Sequence, residues 1–151
     1  MEGRVREDAG EDVYPTGELV FEVPFHDVDM LRIVWHGHYY KYFELARTAL
    51  FRNCSFDIPR IRQSGYYLLV IDSRCRYIAP LRYGMRVWAQ ARITECEYRL
   101  KIDYLLREEA TRQKLAKGCT IHAAVLAESN DLCLEIPAVI REAFQGEKSK
   151  G

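Results

Sequence analysis

HGHYYKYFELARTALFRN, residues 36–53, has helical spacing and almost no face to give to water. Lys41, Glu44, Thr48 and Arg52 recur three or four residues apart and make a narrow polar strip. Tyr39, Tyr40, Phe43, Ala46, Ala49, Leu50 and Phe51 occupy the rest of the circumference. A helix apolar over most of its girth is wrapped by other elements, not laid on a surface. Whatever wraps it must come from the flanks.

The flanks read as strands. Gly17–Phe25 (GELVFEVPF) places Leu19, Phe21, Val23 and Phe25 at period two, the mark of a half-buried strand. HDVDMLR follows as a loop. After the helix, FDIPRIRQSG is a connection with one or two helical turns after Pro59. Four strand-like runs come next: YYLLVIDSRCRYIAP, MRVWAQARITECEY, RLKIDYLLREEA and KLAKGCTIHAAVLAE. Their breaks are short (Tyr83-Gly84, Tyr98-Arg99, Ala110 to Gln113), which predicts that consecutive strands pair antiparallel. LCLEIP is expected to be a last short strand, and Pro137 to open a brief helix, AVIREAF. The fold class is therefore α+β, with a curved antiparallel sheet of five to six strands around one long central helix. Residues 1–16 read as a loose lead-in, 17–145 as the folded domain and 146–151 as a polar tail.

Size and composition agree. The 151 residues suit one domain, and 48% apolar with 29% charged residues is an ordinary globular balance. Twenty-two basic residues meet 22 acidic ones, which argues against a chain whose main business is coating nucleic acid or anionic membrane. No run of 18 apolar residues suggests a membrane span, and the acidic N-terminus lacks the apolar core of a secretory signal. Five cysteines, odd in number and without a CxxC, read as buried free thiols in a reducing cytoplasm.

Groups with catalytic potential crowd into one stretch: His26, Asp27, Asp29, His36 and His38. The helix begins at His36 and Gly37, and a helix start offers unpaired N–H groups and a positive dipole end to an oxyanion. A carboxylate beside such donors could attack a carbonyl or activate water against it. The residues alone leave other readings open. Asp27 or Asp29 could cap the helix or close a turn. His26, Asp27, His36 and His38 could bind a metal, although their spacing matches no compact zinc template. His38 could be a core or interface histidine.

FHDVDMLRIVWHGHYYKYFELAR resembles the signature of the hotdog-fold acyl-CoA thioesterases of the 4-hydroxybenzoyl-CoA thioesterase type, and most of all their Tol-Pal-associated branch. The shared pattern runs through Asp27 and Asp29, Ile33-Val34, Trp35-His36, Tyr39, Phe43, Glu44 and Ala46-Arg47. The likeness continues through RYIAPLRYG, KGCTIHAAV and Ile136-Pro137, covering residues 18–143. The resemblance implies a central helix wrapped by a sheet and hydrolysis of acyl-CoA or acyl carrier protein thioesters. It makes Asp29 the catalytic carboxylate, as nucleophile or general base, and the backbone N–H groups at His36 and Gly37 the oxyanion donors. It gives the His36 side chain a helper role. No separate cofactor is implied, since coenzyme A belongs to the substrate. Three departures stand out: Arg32 where many relatives have Gly, His38 where many have Asn, and Phe25 where some have Tyr. A non-catalytic acyl-CoA-binding module and a hotdog dehydratase remain alternatives.

Charge is distributed unevenly. Residues 1–18 carry six acids against two bases, whereas Arg60–Lys101 carries nine bases against three acids. The basic stretch reads either as a solvated strand face or as a landing surface for phosphates or an acidic carrier protein. Arg74 and Arg76 share a strand face and are the favoured phosphate contacts. With Asp27, Arg32 and Tyr39 they complete the expected substrate-binding set. A lone sheet on one helix also leaves edges to cover, and the resemblance implies a homodimer or homotetramer.

Overall fold

The structure is a computed structural model and describes residues 14–145. Residues 1–13 and 146–151, which hold most of the expected lead-in and the polar tail, lie outside the described residues. Strand β1 (Thr16–Glu22) leads through loops to a 3₁₀ turn at His36–His38 and helix α1 (Tyr39–Asn53). Helix α2 (Ile58–Gln63) follows, then β2 (Tyr66–Tyr77), β3 (Arg86–Cys96), β4 (Leu100–Glu108) and β5 (Lys114–Leu126). Helix α3 (Ala138–Gln145) closes the described chain. Among the described residues no helix is long and apolar enough to cross a membrane.

The five strands form one antiparallel sheet in the order β1-β3-β4-β5-β2. Helix α1 lies on β1 and β3. Its Tyr42, Phe43, Ala46 and Leu50 are buried, as are Val87, Ala89, Ala91 and Ile93 at alternate positions of β3. Each large side chain so removed from water contributes about 1.5–3 kcal/mol. The small Ala89 and Ala91 leave room for the helix. At Gly17 a Cβ would stand 2.1 Å from the backbone nitrogen of Leu50, so only glycine lets β1 approach so closely. The sheet covers one face of α1, while Leu45 is exposed and Tyr40 and Ala49 are half-buried.

Two strand expectations need correction. β2 and β3 follow one another across a short break but are not neighbours: β2 pairs with β5 and β3 with β1. The Tyr83-Gly84 turn forms, with Met85 donating to the Arg82 carbonyl and Gly84 at φ +81°. However, residues 78–85 first cross the end of the sheet, burying Leu81. Gly84 and Met85 are then hydrogen-bonded to Val23, at the end of β1. Nor is LCLEIP a sixth strand. β4 begins at Leu100 opposite His122, leaving only Ala123–Leu126 of β5 free on that side. Leu132 makes a single bridge to Val125 and Cys133 donates to Ala124, after which Leu134 is 92% exposed.

β1 and β2 are the edges. β2 carries Leu69, Val70 and Ile71 with substantial exposure, and its register shifts between Val70 and Asp72.

Candidate active site

The loop between β1 and α1 folds back on itself. Val28 bridges to Val34, Asp29 donates its N–H to the Ile33 carbonyl at 3.0 Å, and Arg32 donates to the Asp29 carbonyl at 2.9 Å. The turn requires Arg32 at φ +66°, a left-handed backbone that glycine adopts freely and arginine does not. The Asp29 carboxylate stands at the base of this turn, half-buried. Its Oδ1 accepts one bond from the Leu31 N–H at 2.8 Å.

Asp27 lies differently. Its side chain is 1% exposed, with Lys41 Nζ donating to Oδ1 and the Tyr42 hydroxyl to Oδ2, each at 2.6 Å. His26 and His38 approach the same Oδ1 at 3.6 and 3.9 Å. Burial alone would raise the Asp27 pKa. The bonds from Lys41 and Tyr42 and the charges of Lys41 and His38 outweigh it and hold the carboxyl below its ordinary value. Burial and the same carboxylate push the Tyr42 hydroxyl upward. Asp27 is thus an internal anchor between loop and helix.

The helix start is braced from the sheet. Tyr77 donates its hydroxyl to the His36 carbonyl at 2.7 Å, and its ring meets buried Tyr39 edge-on at 4.7 Å. Tyr77→Phe keeps the ring and removes that bond, so thermal unfolding should show a loss of about 1 kcal/mol. His36 and Gly37 supply the first N–H groups of the helical run, which have no intrahelical acceptor. A Cβ at Gly37 would meet the Trp35 ring at 2.2 Å, so glycine lets that ring cover the helix start. The His36 ring lies against Trp35 and Tyr77.

The fold therefore brings Asp27, Asp29, Arg32, His36, Gly37, His38 and Tyr39 into one region, with Arg32 exposed. It does not bring Arg74 and Arg76 there. They share a face, as period two predicts, and line a depression on the side of the sheet away from α1. Sequence reasoning placed Lys41 on a polar strip and gave Tyr42 and Tyr77 no role. It also missed a buried chain in which Arg47 donates to the Tyr104 hydroxyl at 3.2 Å. The Tyr104 and Thr120 hydroxyls share a 2.6 Å bond, and Thr120 meets His122 Nε2 at 2.8 Å. Burial, with the Arg47 charge, pushes His122 down to about 3, so its imidazole is neutral. Thr120 and His122, two apart among the apolar residues of the second half of β5, were the available signal.

Residues 31–104 match the family model described as Thioesterase superfamily, a span that contains the helix start and begins just after Asp29. Over that span the chain is similar to the thioesterase superfamily. The sheet-and-helix architecture has the same kind of likeness among solved structures. A solved 1,4-dihydroxy-2-naphthoyl-CoA thioesterase from Synechocystis superposes with a TM-score of 0.78 at 18% identity. That match covers 88% of this chain and 98% of that one, and at such identity it speaks for the hotdog fold alone. A candidate esterase of Aquifex aeolicus is 27% identical over 124 residues, 82% of this chain and 93% of that protein. A candidate acyl-CoA thioesterase of Bacillus subtilis is 33% identical over 63 residues, 42% of this chain and 46% of that protein.

Proposed function

We propose that the chain hydrolyses the thioester bond of acyl-CoA, or of acyl groups on a carrier protein, to a free acid and a thiol. The match of residues 31–104 to the thioesterase superfamily model and the acyl-CoA thioesterase name of the Bacillus subtilis relative support the reaction class. The observation that carries the reading is the Asp29 carboxylate: half-buried, accepting a single bond from Leu31, and held in the turn that leads to the helix start.

In the general-base route, Asp29 takes a proton from water as the water oxygen attacks the thioester carbonyl carbon. The N–H groups of His36 and Gly37 hold the resulting oxyanion. Collapse breaks the carbon–sulfur bond, and the departing thiolate recovers the proton from Asp29. In the nucleophilic route an Asp29 oxygen attacks directly, the thiolate leaves, and water cleaves the acyl anhydride. Both routes need the same carboxylate and the same donors.

Arg32 stands beside Asp29 and is assigned a substrate contact, and the His36 imidazole a helper role. A second copy of the chain is proposed to pair along the exposed β2 edge, giving a homodimer or, by pairing two dimers, a homotetramer. The five unpaired thiols fit a cytoplasmic setting.

A panel of short, aromatic and long-chain acyl-CoAs, assayed by free thiol release, tests the proposal. Saturable release from at least one class is expected. No release above the uncatalysed rate from any of them, with tight acyl-CoA binding retained, would favour a binding module instead.

A further inference from the structure

The face of the sheet turned away from α1 holds a depression of about 590 Å³ whose walls are basic. Arg74 and Arg76 come from β2, Arg107 from β4, Arg112 from the β4–β5 turn, and Lys114 and Lys117 from β5. Asp103 is the carboxylate in the wall. The register makes the crowding sharper: Arg76 is directly opposite Lys117, and Arg107 directly opposite Lys114. Like charges facing each other across paired strands destabilise a sheet. Among the described residues none of these six has a carboxylate within ion-pair distance. A merely solvated face has no need of two such pairs.

The cations are also held in place. Arg107 Nη1 donates to the Arg112 carbonyl at 2.8 Å, and the Arg112 guanidinium lies 5.0 Å from the centre of the Trp88 ring. Arg112 keeps a left-handed backbone at φ +66°, a conformation that costs an arginine free energy and glycine none. A flat guanidinium backed by an aromatic ring offers a stacking surface, and the fork-like donors of the other arginines match phosphate oxygens.

We propose that this face is a binding site for a nucleoside bearing two or more phosphates. The phosphates would lie among Arg74, Arg76, Arg107 and Lys117, and the base on the Arg112–Trp88 stack. The volume falls within the range of small-molecule sites. A second copy of the chain docked with this depression against its own would oppose cations with cations, which disfavours it as the occupant. The ligand chemistry has two sources, the nucleotide end of coenzyme A and a free nucleotide. The site stands on the opposite face of the sheet from Asp29 and does not depend on the hydrolytic reading.

The test is calorimetric titration of the full chain with adenosine 3′,5′-bisphosphate and with ADP at low and at physiological salt. Saturable binding that weakens as salt rises is expected. Arg107→Ala combined with Lys117→Ala, both on the outer sheet face, should weaken it by at least about tenfold. Arg99→Ala removes an exposed base outside the depression and should bind like the parent, as should Asp29→Asn. Displacement of the bound bisphosphate by coenzyme A would assign the site to the carrier's nucleotide end. ADP binding with coenzyme A failing to compete would assign it to a free nucleotide. Absence of saturable binding, or equal loss in the double variant and in Arg99→Ala, overturns the proposal.

Discussion

Asp29→Asn is expected to lower kcat for thioester hydrolysis by about 10²–10⁴-fold, the usual contribution of a positioned proton-transfer group. The change is nearly isosteric. An amide oxygen can still accept the Leu31 N–H bond that holds Asp29 Oδ1, so the 29–32 turn and its left-handed Arg32 should survive. What disappears is a negative charge able to take a proton or attack carbon. The helix-start donors remain, so KM should stay within a few-fold. A fall in kcat and kcat/KM together is the pattern of an interaction made only in the transition state. Circular dichroism and an unchanged melting temperature would separate chemistry from folding. Turnover within a factor of three of the parent would remove Asp29 from the mechanism and leave the carboxylate as a turn-former.

How much of this was legible in the sequence depended on the range of the interaction. Helix α1 could be read because its pattern is local: Phe43, Ala46 and Leu50 recur on one face, and that face is buried. Strand positions were legible for the same reason. Strand order was not, because the turn at Gly84 looks the same whether the next strand joins β2 or β1. The choice is made by Leu81 and Met85, whose backbone partners are Val34 and Val23, far away in the chain. The same limit governs the site. Asp27 and Asp29 are equivalent in the sequence, two residues apart, yet one is sealed by Lys41 and Tyr42 and the other left half-open. Arg74 and Arg76 were read correctly as sharing a face. Which face, and the convergence there of Arg107, Arg112 and Lys117, depends on the β4–β5–β2 register.

The sealed carboxylate yields the largest expected effect on stability. Lys41→Met keeps the length and apolar stem of the side chain but leaves Asp27 buried with only Tyr42 bonded to it. Breaking a buried charge pair by removing one partner costs about 3–5 kcal/mol. Lys41 is 46% exposed, so its charge is partly solvated, and a loss of about 3 kcal/mol at neutral pH is expected here. The sign with pH follows from the Asp27 shift. In the parent its pKa is below the ordinary value, so the stabilisation is present above about pH 4 and is lost as pH falls through the lower native value. Without Lys41, burial dominates and the native pKa rises above that of the unfolded chain. The variant is then most deficient at neutral pH and recovers in acid, where a neutral carboxyl is no burden. Urea unfolding of parent and variant at pH 7 and pH 4 measures this directly. The gap should be about 3 kcal/mol at pH 7 and should shrink clearly at pH 4. A gap that is small at both values, or that widens in acid, would mean that Lys41 is an exposed neighbour and not the counter-charge that lets Asp27 be buried.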